Sequence, residues 1–269
     1  MSATSPENYF MSIAADIQHR FVVPEQRLSV ENTEPTATPV PAENSVVDPV
    51  FADKQLVITD LDGTLANSFG FWSKQLADNG GIPRHITPSH FRAIYGTGWL
   101  KMYREFGVNP LQLAGHAWRA RKVFKQAMDD VEAFEAPAML LKEGLSRAKV
   151  PVHILTSSTQ KNTEVFLEKT GLAPYIDDVT AGVGFFGKAK HLRRIANTYN
   201  VSIADAVHLA DEGRDIRASD EVGMDSIGAA WGFSGSAAFE RTKPTRLAAT
   251  GGELLQLFGC SLDLPTATA

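Results

Sequence analysis

The sequence predicts an α/β fold, a parallel sheet with crossover helices that is interrupted after its first strand by a helical insertion. Three observations lead there. A short run of apolar β-formers, Leu56-Val57-Ile58-Thr59, ends in the acidic turn Asp60-Leu61-Asp62-Gly63-Thr64. Residues from about 68 to 144 then carry apolar positions at helical spacing and no convincing strand. From Lys149 onward, strand-like and helix-like segments alternate, which implies parallel strands joined by helices.

Composition sets the bounds. The chain has 269 residues, 43% hydrophobic and 21% charged, with room for a sizeable core. A net charge of -5 argues against a nucleic-acid binder, and no apolar run reaches the roughly 18 residues of a membrane span. One cysteine, Cys260, excludes an intrachain disulfide and a cysteine-rich zinc site. Glu7, Asp16 and other polar residues interrupt the apolar stretches near the amino terminus, so no signal peptide is expected and the cytoplasm is the expected compartment.

Residues 1–53 read as a disordered tail and linker. Pro, Thr and Glu dominate from Glu31 to Pro49, and such a stretch buries too little surface to offset its chain entropy. Within the tail, Tyr9 to Val23 has helical spacing, with Ile13 and Ile17 on one face. The α/β core is expected from residues 54–67 and 146–269, with a helical cap from 68–145. In the insertion, Phe71 to Asn79, His90 to Tyr95, Trp99 to Phe106 and Leu111 to Phe134 have helical spacing. The basic residues Arg119, Arg121, Lys122 and Lys125 are followed by Asp129, Asp130 and Glu132, which makes a solvated face.

The second part of the core is expected to open with strand Val152–Leu155, then Thr156-Ser157-Ser158 and a helix stopped by Gly171. Ile176 to Thr180 reads as a poor buried strand. A helix from Lys188 to Tyr199 follows. Strand Ala206–Ala210 runs into Asp211-Glu212-Gly213-Arg214-Asp215 and a helix to Val222; a strand near Ser226 to Ala230 and a helix from Gly252 to Phe258 complete the order.

Ligands in open parallel sheets bind beyond the carboxyl ends of the strands, and Asp60, Thr156 and Asp211 all lie at such ends. Residues two apart in an extended chain project to one side, so Asp60 and Asp62 are expected to face one pocket. Asp211 and Asp215, four apart where a strand turns into a helix, are expected to point to one side as well. With Asp60 they offer hard oxygen ligands, and magnesium, which takes one or two carboxylates plus substrate phosphate oxygens, suits that set. Thr156 offers a hydroxyl, its neighbours offer backbone N–H groups for a phosphate oxygen, and Lys188 offers a neutralising charge.

These residues resemble the haloacid dehalogenase superfamily of phosphotransferases. Asp60-Leu61-Asp62-Gly63-Thr64, Thr156, Lys188 in Phe185-Phe186-Gly187-Lys188, and Asp211-Glu212-Gly213-Arg214-Asp215 stand in that family's order. Ser226 to Phe233 is similar to the strand and loop after the fourth motif in phosphoglycolate phosphatase-like members. The resemblance implies a Rossmann-like core with a small helical cap, and it assigns roles. Asp60 is then the nucleophile that takes the phosphoryl group, and Asp62 the acid and base. Asp60, Asp62 through its backbone carbonyl, and Asp211 hold Mg2+, with Asp215 supporting the metal shell. Thr156, Ser157 and Lys188 bind the phosphoryl oxygens. The implied partner is a small phosphorylated metabolite, phosphoglycolate first, taken by a monomer or homodimer. Arg92, Trp99, Lys101 and Arg104 are cap candidates for choosing it.

The chain departs from the family at Asn67 and Ala210, where Asp and Gly are common. Two other readings stand beside phosphatase: a sugar phosphomutase using the same intermediate, and a non-catalytic binding module. Gly182 to Lys188 also contains G-x-G-x-x-G and nearly matches a nucleotide loop, but Ala189 lacks the hydroxyl that would reach a metal.

Overall fold

The computed structural model describes residues 48–78, 131–184, 187–236 and 239–260. Tyr9 to Val23, the linker up to residue 47, the cap candidates Arg92, Trp99, Lys101 and Arg104, and the basic cluster at Arg119 to Lys125 lie outside the described residues.

Strands β1 (Leu56–Thr59), β2 (Val152–Leu155), β3 (Asp178–Thr180), β4 (Ala206–Ala210), β5 (Asp225–Ala229) and β6 (Arg246–Ala248) form one six-stranded sheet. Every pairing is parallel, and the order is β3-β2-β1-β4-β5-β6. Helix α1 (Phe69–Asp78) follows β1. Helix α2 runs through Glu135–Met139, a π-helical stretch Leu140–Leu145 and a last turn Ser146–Ala148. Then come α3 (Gln160–Lys169), α4 (Lys188–Thr198), α5 (Gly213–Val222), α6 (Phe239–Thr242) and α7 (Gly251–Leu257).

The inner strands are mostly apolar because both of their faces are covered, with His153 and His208 as buried polar exceptions. Val57, Val152, Ile154, Val207 and Leu209 face one side, where Leu140, Leu141 and Leu145 of α2, Phe166 of α3 and Leu254 of α7 pack on them. Leu56, Ile58, Leu155 and Ala206 face the other side, against Leu192, Ile195 and Ala196 of α4. Residues Glu135–Leu145, placed in the insertion by sequence, therefore pack into the sheet's own core.

The two edges differ. β3, read from sequence as a poor strand, is one, and its residues are exposed or half-buried. Pairing His153 with Asp178 on a single side supplies its hydrogen bonds without needing an apolar face. β6 closes the opposite edge, and sequence spacing did not reveal it because Arg246 and Leu247 are exposed there.

The chain leaves and rejoins this body at one place. Ala66 and Ala133 form an antiparallel bridge, with Asn67 N–H donating to the Glu132 carbonyl at 2.8 Å and Phe134 N–H to that of Leu65 at 2.9 Å.

Two buried histidines sit in the sheet, His153 of β2 and His208 of β4, and burial lowers the pKa of both. His208 of β4 is fully buried with Nδ1 2.8 Å from Ser219 Oγ, and its pKa is brought down from 6.5 to about 4, chiefly by burial. A histidine kept neutral when folded contributes stability that is present above pH 6.5 and lost as pH falls toward 4. The shift corresponds to about 3 kcal/mol across that window. His208→Gln is expected to flatten the fall of unfolding free energy between pH 6.5 and 4, measured by urea titration at a series of pH values.

Candidate active site

In a sheet of this strand order the crevice lies where the order reverses, beyond the carboxyl ends of β1 and β4. Thr59 is level with Ile154 of β2 and Leu209 of β4. Asp60 therefore emerges between the ends of its two neighbours, which are followed at once by Thr156 and Asp211. An Asp60 N–H bond to the Leu209 carbonyl at 2.9 Å holds it there.

Lys188 opens α4 and reaches across to this edge. Its Nζ lies 3.0 Å from Asp60 Oδ2 and 2.6 Å from Asp215 Oδ2. Asp215, in the first turn of α5, sits where the helix dipole favours a negative charge. Asp60 Oδ1 accepts from the Leu61 N–H at 2.9 Å.

Asp211 has its own cradle. Thr64 Oγ1 donates to its Oδ1 at 3.1 Å and the Phe233 N–H to its Oδ2 at 2.7 Å. Trp231 Nε1, donating to the Thr64 carbonyl at 3.2 Å, ties the loop after β5 to the acidic turn. That close approach requires glycine twice. A Cβ on Gly63, whose φ is +77°, would lie 2.3 Å from Asp211 Oδ2, and one on Gly232 would lie 2.1 Å from Asp211 Cβ.

Charge explains the titration. Asp60, Asp211 and Asp215 are 4%, 0% and 1% exposed, and Lys188, at 3%, is the ammonium among them. Burial pushes Asp60 up to about 8, with Lys188 opposing it and Asp215 adding to it. Burial, then the charges of Glu212 and Asp60, push Asp211 well above the usual carboxylate range. Burial also works to raise Asp215, but Lys188 and Arg214 outweigh it and hold this carboxyl low. Lys188 is raised, because Asp215 and Asp60 overcome the effect of burial. The lysine is closer to Asp215, so Asp60 and Asp211 are the carboxyls whose ionisation a further positive charge would favour.

Buried carboxylate oxygens are hard donors that fit a divalent cation such as magnesium, and Asp60 and Asp211 could hold one. Among the described residues no three His, Cys, Asp or Glu side chains form a metal cage by themselves. Asp215 faces Lys188, so any part it plays toward a metal is indirect.

Asp62 has hydrogen-bond partners of its own. The chain leaves extended geometry after Thr59, and strand alternation does not govern the turn. The Asp62 carboxylate meets a separate set of donors: Ser68 Oγ at 2.7 Å and Trp72 Nε1 at 2.9 Å on Oδ1, and Ser158 Oγ at 2.5 Å on Oδ2. Thr156 joins this group, its buried Oγ1 accepting from the Ser158 N–H at 3.0 Å. Helix α3 starts only at Gln160, capped by Thr159, so Thr156 is not at a helix start. Ser157 is exposed and Ser158 buried. Period-two alternation from Thr156 pointed to Ser158 and was the signal that sequence reading passed over. Trp72, Ser68 and Thr64 were also missed. Ala210 packs its methyl with Ile216 and Phe239.

The chain matches the family model of haloacid dehalogenase-like hydrolases over residues 57–229. It belongs to that family. A phosphoglycolate phosphatase of Synechococcus elongatus is 27% identical over 206 residues, covering 75% of this chain and 96% of that one. Among solved structures, a haloacid dehalogenase-like hydrolase of Streptococcus pneumoniae superposes with a TM-score of 0.63 at 18% identity, covering 77% of this chain and 99% of that one. A family hydrolase of Deinococcus radiodurans, solved with bound phosphate and sodium, gives 0.58 at 19% identity over 76% and 94% of the two chains. These haloacid dehalogenase-like structures share the α/β, Rossmann-like fold. No helix among the described residues is long and apolar enough to cross a membrane.

The buried cluster gives opposite signs for two substitutions. Lys188→Met leaves buried carboxylates unpaired and is expected to cost about 3–5 kcal/mol. Asp60→Asn removes a carboxyl whose ionisation burial opposes, and in chelator-treated protein above pH 8 it is expected to unfold at a urea concentration equal to or above that of wild type.

Proposed function

We propose that this hydrolase is a magnesium-dependent phosphatase that cleaves a small phosphomonoester through an aspartyl phosphate on Asp60. The observation that carries it is a buried carboxylate at the strand switch point, aimed by the Leu61 N–H and Lys188. The 27% identity to a phosphoglycolate phosphatase supports the reaction class and makes phosphoglycolate the first substrate to try.

An oxygen of Asp60 attacks phosphorus as the ester P–O bond breaks, and Asp62 gives its proton to the departing oxygen. Asp62 then takes a proton from the water that attacks the aspartyl phosphate, which releases inorganic phosphate and restores Asp60. Lys188 and Thr156 bind the phosphoryl oxygens and steady the nucleophile. Magnesium held by Asp60, Asp211 and the Asp62 carbonyl supplies positive charge that keeps Asp60 ionised and offsets the repulsion between a carboxylate and a phosphate dianion.

The test is phosphate release from a panel of small phosphate esters, 2-phosphoglycolate included. Activity is expected to vanish with chelator, return with magnesium, and fall by at least about a thousandfold in Asp60→Asn. Isomerised phosphosugars without released phosphate would instead establish the mutase. No turnover of any ester would leave a binding module.

A further inference from the structure

Asp62 is the acid and base of the proposed reaction, and what surrounds its two oxygens is unequal. Oδ1 receives Ser68 Oγ and the Trp72 indole N–H, from side chains that are 0% and 3% exposed. Oδ2 receives the hydroxyl of Ser158, 4% exposed. An indole N–H donates and never accepts, whereas a serine hydroxyl does either by rotating about its C–O bond. A proton placed on Oδ1 competes with two donors for the same lone pairs. On Oδ2 it requires only that Ser158 turn.

We propose that Trp72 and Ser158 are positioning residues that hold Oδ1 of Asp62 as a fixed acceptor and reserve Oδ2 for proton exchange with substrate and water. This rests on the acid and base role given to Asp62 above. Trp72 is itself fixed: it is buried in α1, with the Phe71 ring edge-on at a centroid distance of 4.8 Å. Ser158 is fixed by its N–H bond to Thr156 Oγ1, so the residue that holds Oδ2 also hangs from a phosphate-binding threonine. Each proton passes through the one oxygen. Oδ2–H protonates the leaving oxygen as its bond to phosphorus breaks, and the resulting carboxylate recovers a proton from water as that oxygen bonds to phosphorus.

The distinguishing readout is leaving-group dependence. Nitrophenolate departs without a proton, while phenolate needs one, and kcat/KM reports the step in which the ester oxygen leaves. In Trp72→Phe, kcat/KM is expected to fall about tenfold on phenyl phosphate and less than about threefold on p-nitrophenyl phosphate, within kcat rather than KM. Ser158→Ala is expected to show the same split, and Ser158→Thr, which restores the hydroxyl, to regain most of the phenyl phosphate rate. Equal losses on both esters, or no loss on either, would overturn the proposal. Asp62→Asn separates the two levels. If it keeps full activity on phenyl phosphate, the acid and base role itself is wrong. If it loses that activity while Trp72→Phe and Ser158→Ala keep the wild-type ratio, only the positioning role fails. Should Trp72→Phe not fold, the Ser158 pair decides.

Discussion

The shared ammonium of Lys188 is the interaction around which the rest of the molecule is arranged. Holding three carboxylates and one lysine at 0–4% exposure is costly, and ion clusters of this kind are poor sources of stability. The fold supports the cost by bringing each group from a rigid element. Asp60 comes off the central strand, bonded to β4, and Asp215 from the first turn of α5, where the dipole favours it. Lys188 stands at the first turn of α4, where the dipole disfavours a cation, so its two carboxylates must outweigh both burial and the helix. Burial holds Asp60 and Asp211 toward their protonated forms, and a bound cation would shift both toward the ionised ones.

Asp60 and Asp62 are two residues apart and live in unlike surroundings. One faces a cation across a buried gap; the other is ringed by hydroxyls and an indole. Separating two carboxylates by environment is how a site obtains a nucleophile and a proton carrier from the same side chain. Gly63 makes the separation possible, because the turn at φ +77° lets the chain reverse while Asp211 fits against its missing side chain.

How far the sequence could be read follows from the same physics. Strands β1, β2, β4 and β5 were legible because burial on both faces demands apolar residues in series. The edge strands β3 and β6 were not, because one free edge and an exposed face accept Asp178 and Arg246. The acidic residues of the site were found by their position after strands, which topology dictates. The partners of Asp62 were not, since Ser68, Trp72 and Ser158 are brought to it by the turn and by packing. Trp72 and Phe233 carry no local signature at all: the first reaches Asp62 across ten residues and the second reaches Asp211 across 22. Contacts of that kind are settled by packing.

The partners of the two halves come from different places. Asp60, Asp211 and Asp215 take theirs from the acidic turn itself, the loop after β5 and the start of α4. Asp62 takes two of its three from Ser68 and α1, the stretch of chain that follows the acidic turn. The backbone bridge at Ala66–Ala133 brings Glu132 to Phe134 beside the same turn. The half that would attack phosphorus in the proposed reaction is thus built into the sheet and its helices. The half that would handle protons is built partly from Ser68 and α1. Under the proposed mechanism, a change in the segment that carries Ser68 and Trp72 would therefore reach the proton carrier while leaving the hydrogen bonds of the nucleophile intact.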